Sequence, residues 1–233
     1  MTALKGNIIV SSLIARGGYP VLLTVFAIAL LFFAAGFFAN GQTGFFFKIC
    51  SAFCFLFLVF SFYFFRNPER ETNTDPGIII CPADGLIIDI RETNEPLYFN
   101  SAAKRVSIFM SVFNVHVNRS PVDGKIKFMK YNKGKFISAF KEKASEDNEN
   151  LFVGIEENRG KKKIGVKFIA GLIARRIMFY KKMDDELSQG ERINLIRFGS
   201  RVDLFCPLDT EILVKNGDKV KAGETIMGRL SSK

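Results

Sequence analysis

Three residues of this chain have the types found in a set of nucleophile, base and orienting carboxylate: Ser200, His116 and Asp84. His116 is the only histidine among the 233 residues, and histidine is the one side chain whose ordinary pKa lies near neutral pH. Acid–base chemistry near that pH would therefore use His116, or a carboxylate, lysine or cysteine with a shifted pKa. The alternative is a buried histidine with a purely structural role.

The residues around Ser200 limit what such a set could do. Ser200 follows Gly199, and the strand-like segment RVDLF begins directly after it at Arg201. In G-x-S-x-G hydrolases the nucleophile instead lies on a turn between a strand and a helix. A Ser-His-Asp hydrolase is therefore disfavoured. It stays open beside a second alternative, a membrane-anchored β-barrel that binds or scaffolds a partner without catalysis.

Short β-strands are predicted from Gly77 onward, because segments rich in β-branched and aromatic residues alternate with turn residues. The predicted strands are 78–80, 85–90, 106–112, 124–130, 163–170, 177–180 and 201–205. Pro-x-Asp-Gly at 82–85 and at 121–124 supplies two similar turns. The polar stretches 141–150 and 181–190 are predicted to be loops or short exposed helices.

The C-terminal segment resembles the end of a lipoyl or biotinyl carrier barrel. A predicted hairpin has its turn at Asn216-Gly217-Asp218, and the segment AGETIMG follows at 222–228. Such carriers present a lysine at a hairpin tip, which this sequence does not clearly supply, so the similarity concerns barrel geometry. Residues 66–233 are predicted to form one compact, mostly β (α+β) catalytic domain with barrel-like, lipoyl-carrier-like elements.

Residues 1–65 are predicted to form a membrane-anchoring hydrophobic hairpin. Two apolar runs, at about 20–39 and 45–65, each have roughly the ~20 residues that a helix needs to cross a bilayer. The uncharged segment between them, 40–44, has the composition of a turn. A signal peptide followed by one span, or a single re-entrant element, are the alternatives.

The charges around these runs predict their orientation. Lys5 and Arg16 precede the first run, and Arg66 and Arg70 follow the second. Basic residues are retained on the cytoplasmic side, so we expect a cell-membrane protein whose catalytic domain lies on the cytoplasmic face. No nucleic-acid motif accompanies the net charge of +10, so anionic lipid is the expected partner and nucleic acid is not. The four cysteines predict neither a disulfide framework nor a metal site.

Four blocks in order along the chain resemble the short bacterial branch of the phosphatidylserine decarboxylase family. These blocks are PADG at 82–85, FNVHVNRSP at 113–121, IAGLIARRI at 169–177 and RFGSRVD at 197–203. The hydrophobic N-terminal region extends the resemblance over nearly the whole chain.

The resemblance implies a self-processing enzyme. Cleavage between Gly199 and Ser200 would leave a β chain of residues 1–199 and an associated α chain of residues 200–233, and would convert Ser200 into a covalent pyruvoyl cofactor. His116 would act as the base for Ser200, and Asp84 would orient His116. The pyruvoyl group would form a Schiff base with phosphatidylserine, a membrane phospholipid, and release CO₂ and phosphatidylethanolamine in phospholipid biosynthesis.

Two departures from the larger bacterial branch leave questions open. Phe113 stands where that branch carries a second histidine, so either His116 serves both reactions or water or another group donates the final proton. Arg201 stands where a hydroxyl residue is common. Candidates for the lipid phosphate are basic side chains near these blocks: Arg119, Arg175, Arg176 and Arg201. Whether the protein is a homo-oligomer stays open.

Overall fold

A computed structural model describes residues 13–134, 147–171, 177–197 and 199–231 of the chain. The chain divides into two compact units, Met1–Glu69 and Arg70–Lys233. The division predicted from composition lies at residue 65. Each unit has its own architecture.

The first unit is a pair of apolar helices, α1 (Tyr19–Phe38) and α2 (Gly41–Phe64), preceded by a short 3-10 turn at Arg16–Gly18. Most of the large side chains of both helices are exposed in the isolated chain. Their mean hydropathies are 2.7 and 2.2, and each helix is long and apolar enough to cross a membrane.

Helix α2 begins at Gly41, within the segment predicted to be a turn. Only Ala39 and Asn40 therefore connect the helices. A Cβ atom at Gly44 would lie 2.2 Å from the carbonyl oxygen of Ala39, so only glycine fits there. Further along, the Ser51 hydroxyl donates a hydrogen bond of 3.1 Å to the carbonyl of Ala29 and joins the two helices.

The second unit is built from short strands, which confirms the predicted mostly β fold class. Over the described residues the strands are β1 (Ile78–Ile80), β2 (Gly85–Glu95), β3 (Ser101–Met110), β4 (Val117–Arg119), β5 (Gly124–Asn132), β6 (Asn150–Glu157), β7 (Lys163–Ala170), β8 (Ile177–Phe179), β9 (Glu186–Leu187), β10 (Arg192–Ile196), β11 (Ser200–Cys206), β12 (Glu211–Ile212), β13 (Lys219–Val220) and β14 (Ile226–Arg229).

One large curled sheet and two small sheets share these strands. The large sheet has the order β13-β2-β3-β11-β7-β6-β5-β9, and the small sheets have the orders β1-β14-β12 and β4-β10-β8. Strand β11 lies between β3 and β7 and is antiparallel to both. All seven of its residues are buried, so the strand that begins with Ser200 is a central element of the fold.

Several parts of the fold differ from the sequence predictions. The polar stretch 181–190, predicted to be a loop or short exposed helix, contains strand β9, and residues 141–146 of the other polar stretch lie outside the described residues. Strand β6 was not predicted, because Gly154 interrupts its apolar run; the structure uses that glycine to pack against the ring of Tyr98, 2.7 Å from where a Cβ would lie. Strand β10 was not predicted either. The two strands flanking Gly217 do not pair with each other: β12 pairs with β14, and β13 pairs with β2. The Gly217 N–H donates to the carbonyl of Ile87, which holds the turn against β2.

A large apolar core lies among these sheets and includes Met110, Ile196 and Val202. A smaller aromatic cluster contains Phe99, Phe152 and Phe205. The first core surrounds the start of β11 and therefore keeps water away from Ser200.

Candidate active site

The segment between β10 and β11 carries the predicted cleavage site. Ser200 is the first residue of β11, where it pairs with Met110 of β3 and Ala170 of β7, and it is fully buried. Gly199 has φ of +66°, a left-handed conformation that costs other residues roughly 1–2 kcal/mol. An added Cβ at Gly199 would meet no atom within 4 Å. Backbone conformation, and not space, therefore favours glycine before the serine.

His116 lies directly before β4 and is fully buried. Its Nδ1 is 2.9 Å from the carbonyl oxygen of Asn114. A carbonyl can only accept, so Nδ1 carries the hydrogen and Nε2 carries the lone pair. The Gly199 N–H points at this lone pair, with 3.4 Å between the two nitrogens. The imidazole therefore presents its basic nitrogen to the residue that precedes Ser200.

The pairing of β4 with β10 explains how these distant segments meet. Leu195 of β10 pairs with Val117 of β4. The Ile196 N–H donates to the carbonyl of His116 over 3.3 Å. Because β10 leads directly into the Gly199 segment, this pairing fixes His116 beside the cleavage site. Asn114 is held in turn, since its side-chain oxygen accepts from the N–H and the hydroxyl of Ser111.

The Ser200 hydroxyl donates to the thioether sulfur of Met110 at 3.3 Å. A thioether is a weak acceptor, so little is lost when the hydroxyl turns away from it. The buried hydroxyl thus stands next to the Gly199 carbonyl, and among the described residues its hydrogen-bond acceptor is the weak one of Met110. Such an environment suits a nucleophile that must change its bonding in order to react.

Asp84 lies between β1 and β2, and its carboxylate is bound by a guanidinium and by a backbone amide. Arg70 donates to its two oxygens over 2.5 and 2.8 Å. The Ala222 N–H donates to the same carboxylate over 2.8 Å, and Arg70 also donates to the carbonyl of Ala222. Burial alone would lower the pKa of Arg70, but the hydrogen bonds and charge of Asp84 outweigh it and raise that pKa.

This Arg70–Asp84–Ala222 clamp joins three distant parts of the chain. The predicted role of Asp84 in orienting His116 stays a prediction. In the structure, the hydrogen on Nδ1 of His116 is bound by the Asn114 carbonyl. A sequence pattern does not reveal a backbone acceptor of this kind, although Asn114 belongs to the block at 113–121.

Two of the four candidate phosphate-binding arginines have their side chains engaged inside the fold. Arg119 is buried and donates to the carbonyl of Gly190 over 2.8 Å. Arg201 is only 2% exposed, and its guanidinium donates to Asp203 over 2.6 Å and to the Ser107 hydroxyl over 2.8 Å. Their predicted role in phosphate binding stays untested, as does that of the other two, Arg175 and Arg176, which lie outside the described residues.

Phe113 occupies an exposed position on the loop between β3 and β4. Its residue is 65% exposed, whereas His116, three residues later, is fully buried. The position at which the larger bacterial branch carries its second histidine therefore projects from this loop. A phenylalanine ring has no proton to give, so position 113 does not supply the final proton in this chain.

The cysteines are poor candidates for chemistry. Cys81 and Cys206 are fully buried, and burial raises the pKa of each thiol to about 12. Thiols of this kind are inert because they are not ionised. The described residues contain no cluster of three or more histidine, cysteine, aspartate or glutamate side chains that could hold a metal ion.

The chain was compared with protein-family profiles and with curated proteins, and both comparisons match the same family. The profile of the phosphatidylserine decarboxylase family matches residues 57–228. A phosphatidylserine decarboxylase proenzyme from Desulfotalea psychrophila is 48% identical over 184 residues, which cover 78% of this chain and 86% of the relative.

Two further relatives match nearly end to end. The proenzyme from Citrifermentans bemidjiense is 45% identical over 93% of this chain and 96% of its own length. That from Burkholderia vietnamiensis is 44% identical over 94% of this chain and 96% of its own length. With this coverage, and with the Gly199-Ser200 segment placed beside the single histidine, the chain belongs to the phosphatidylserine decarboxylase family.

Proposed function

We propose that this protein is the proenzyme of a membrane phosphatidylserine decarboxylase that cleaves itself between Gly199 and Ser200. One observation carries the proposal: Nε2 of the single histidine accepts the N–H of Gly199, next to a buried serine. The base, the nucleophile and a glycine in a conformation unusual for other residues thus meet at one point of the chain.

In the first step His116 Nε2 takes the proton of the Ser200 hydroxyl. The Ser200 oxygen attacks the carbonyl carbon of Gly199, and the bond from that carbon to the Ser200 nitrogen breaks. The acyl group now sits on Oγ as an ester, and the Ser200 nitrogen becomes an amine that has taken up the proton. Glycine adopts the left-handed conformation of residue 199 without strain, and the absence of a Cβ leaves its carbonyl carbon open to the attacking oxygen.

The ester then breaks by elimination. Nε2 of His116, which is neutral again after the first step, takes the Cα proton of Ser200 as the Cβ–Oγ bond breaks, and Gly199 leaves as a carboxylate that carries the bonding electrons. Water converts the resulting dehydroalanine to a pyruvoyl group and releases ammonia. The pyruvoyl group would occupy the place of the Ser200 side chain, which lies buried beside the Met110 thioether.

The two chains produced by cleavage are expected to stay associated. Strand β11 of the α chain lies between β3 and β7 of the β chain, and β13 and β14 pair with β2 and β1. Since every one of these ladders joins residues on opposite sides of the cut, breaking one peptide bond leaves the sheets intact. Arg201, one residue after the new N-terminus, also donates across the cut to the Ser107 hydroxyl of β3 over 2.8 Å.

The pyruvoyl group supplies a carbonyl that condenses with the amine of phosphatidylserine and accepts the electron pair released with CO₂. The chain's own contribution is a closed apolar site around it, in which His116 is positioned to hold or deliver a proton at Nε2. The two apolar helices would anchor the protein in the cell membrane, and the basic residues flanking them support an orientation with the catalytic unit on the cytoplasmic face.

The experiment is a decarboxylation assay of the full-length protein with phosphatidylserine in mixed micelles. We expect CO₂ release by the wild type and by Ser188→Ala, a control at an exposed serine, and none by Ser200→Ala. Borohydride added during turnover should leave the lipid covalently attached to the chain that begins at residue 200. Activity in Ser200→Ala, or lipid attached elsewhere, would refute the proposal.

A further inference from the structure

A buried polar group on the Met110 side of Ser200 has no role in the steps above. Asn118 of β4 and Asn194 of β10 are both fully buried, and the residues beside them, Val117 and Leu195, are buried and apolar. The Asn118 side-chain N–H₂ donates to the Met110 sulfur over 3.5 Å, the same sulfur that accepts from the Ser200 hydroxyl. Because both groups contact the same sulfur atom, the distance from Asn118 Nδ2 to Ser200 Oγ cannot exceed the sum of these two hydrogen-bond lengths.

The orientation of the Asn118 amide is set by its neighbour. The Asn194 N–H₂ donates to the side-chain oxygen of Asn118 over 3.3 Å, which leaves the N–H₂ group of Asn118 turned toward the Met110 sulfur. The side-chain oxygen of Asn194 has no hydrogen-bond partner among the described residues. A buried acceptor left in this way costs about 1–3 kcal/mol, and a catalytic role is one of the reasons for which proteins retain such a group.

The two asparagines thus hold a strong donor against a weak acceptor at the edge of the reaction centre. While Ser200 is a hydroxyl, it has its own hydrogen to give to Met110. Once Oγ carries the Gly199 acyl group, that hydrogen is gone and the oxygen can only accept. The Met110 thioether has no hydrogen to offer, whereas Asn118 has two.

Building on the proposed self-cleavage, we propose that Asn118 is a catalytic residue that donates a hydrogen bond to Ser200 Oγ during elimination. As the Cβ–Oγ bond breaks, its electron pair moves to Oγ, which leaves in the carboxylate of Gly199. The Asn118 N–H₂ stabilises the charge that develops on this oxygen, and His116 acts earlier as the base that forms the ester. Asn194 is a positioning residue that keeps the donor end of Asn118 turned toward the oxygen.

The test separates the two stages of cleavage with hydroxylamine, which splits esters but leaves peptide bonds intact. Asn118→Leu keeps the volume and removes the donor. We expect its cleavage to slow about 10²-fold or more, the usual loss for one donor to a developing negative charge. The uncleaved chain should be split by hydroxylamine into residues 1–199, ending in a hydroxamate, and residues 200–233, beginning with serine.

Two variants serve as controls. His116→Ala should stay intact even in hydroxylamine, because no ester forms without the base. Gln189→Met removes another buried amide, one that donates to the carbonyls of Ile78 and Pro121, and should be cleaved at the wild-type rate. Asn194→Leu should accumulate the same ester as Asn118→Leu, with a smaller loss in rate.

Several outcomes would overturn the inference. Cleavage of folded Asn118→Leu at the wild-type rate would show that Asn118 takes no part in the reaction. An uncleaved Asn118→Leu chain that resists hydroxylamine would show that Asn118 is needed to form the ester and not to eliminate it. If Asn118→Leu does not fold, Asn118→Val, which suits a strand and likewise has no hydrogen-bond donor in its side chain, is judged by the same criteria. A wild-type chain that never cleaves would instead refute the proposed function itself.

Discussion

The clamp between Arg70 and Asp84 should contribute strongly to stability, and Arg70→Met tests it. The side chains of the two residues are only 5% and 10% exposed. Methionine keeps much of the volume of the arginine stem but leaves the Asp84 carboxylate buried without its cation. Removing one partner of a buried pair typically costs about 3–5 kcal/mol.

The size of this loss can be converted to a melting temperature. For a domain of 150–250 residues, about 1 kcal/mol corresponds to about 2–4 °C, so Arg70→Met should lower Tm by about 6–20 °C. Thermal unfolding of the full chain in detergent, followed by near-UV circular dichroism, measures it. Arg91→Met is the matched control, because the side chains of Arg91 and Asp89 are 43% and 25% exposed and such a pair contributes at most about 1 kcal/mol.

Equal, small Tm shifts in Arg70→Met and Arg91→Met would refute the clamp argument. The same variants also test the role of Asp84 in cleavage, measured at a temperature at which all of them are folded. If Asp84 acts through the clamp, Arg70→Met and Asp84→Ala should slow cleavage alike. If Asp84 orients His116, as the family resemblance implies, Asp84→Ala should slow cleavage and Arg70→Met should not.

Three further predictions concern the cleavage turn, the thiols and the aromatic cluster. Gly199→Ala should slow cleavage by roughly 5–30-fold, because alanine at φ +66° costs about 1–2 kcal/mol; an unchanged time course on a denaturing gel would contradict this. Cys81 and Cys206 should resist alkylation in the folded protein at pH 8.5, since burial raises their pKa to about 12. Their contribution to stability is complete below the ordinary thiol pKa of 9.0 and is lost as the pH rises toward 12, so a flat urea-unfolding profile between pH 9 and 11 would be inconsistent with it. Phe152→Ala should destabilise the catalytic unit by about 3–5 kcal/mol and exposed Phe113→Ala by less than about 0.5 kcal/mol, and similar melting temperatures would disprove the difference in packing.

The strands predicted most accurately from the sequence are those whose residue types favour a β-strand without help from distant contacts. The three isoleucines of β1 and the alternating run of β7 were placed with the bounds that the structure shows, because β-branched residues between turn signals specify strands locally. Strand β6 was not predicted because Gly154 is typical of a turn. The reason for glycine in this strand is its close contact with the ring of Tyr98, a residue distant in sequence. The start of α2 was misplaced because glycines typical of turns also permit close helix packing.

In the site, sequence reasoning named the residues but not their contacts. His116 and Gly199 could be named from their blocks, whereas the pairing of β4 with β10 that joins them depends on the register of the whole fold. The partner of Arg201 was within reach of sequence reasoning, because residues two apart on a strand share a face and Asp203 follows at that spacing. Asn194 also gave a signal, as a lone polar residue within an apolar run.

Intact mass under denaturing conditions shows directly whether the chain cleaves itself between Gly199 and Ser200. We expect two chains for the purified wild-type protein, residues 1–199 and 200–233, with the second beginning in a pyruvoyl group instead of serine. We also expect a single uncleaved chain for Ser200→Ala. A wild-type protein that retains one mass for all 233 residues would contradict self-cleavage and the decarboxylase function that depends on it.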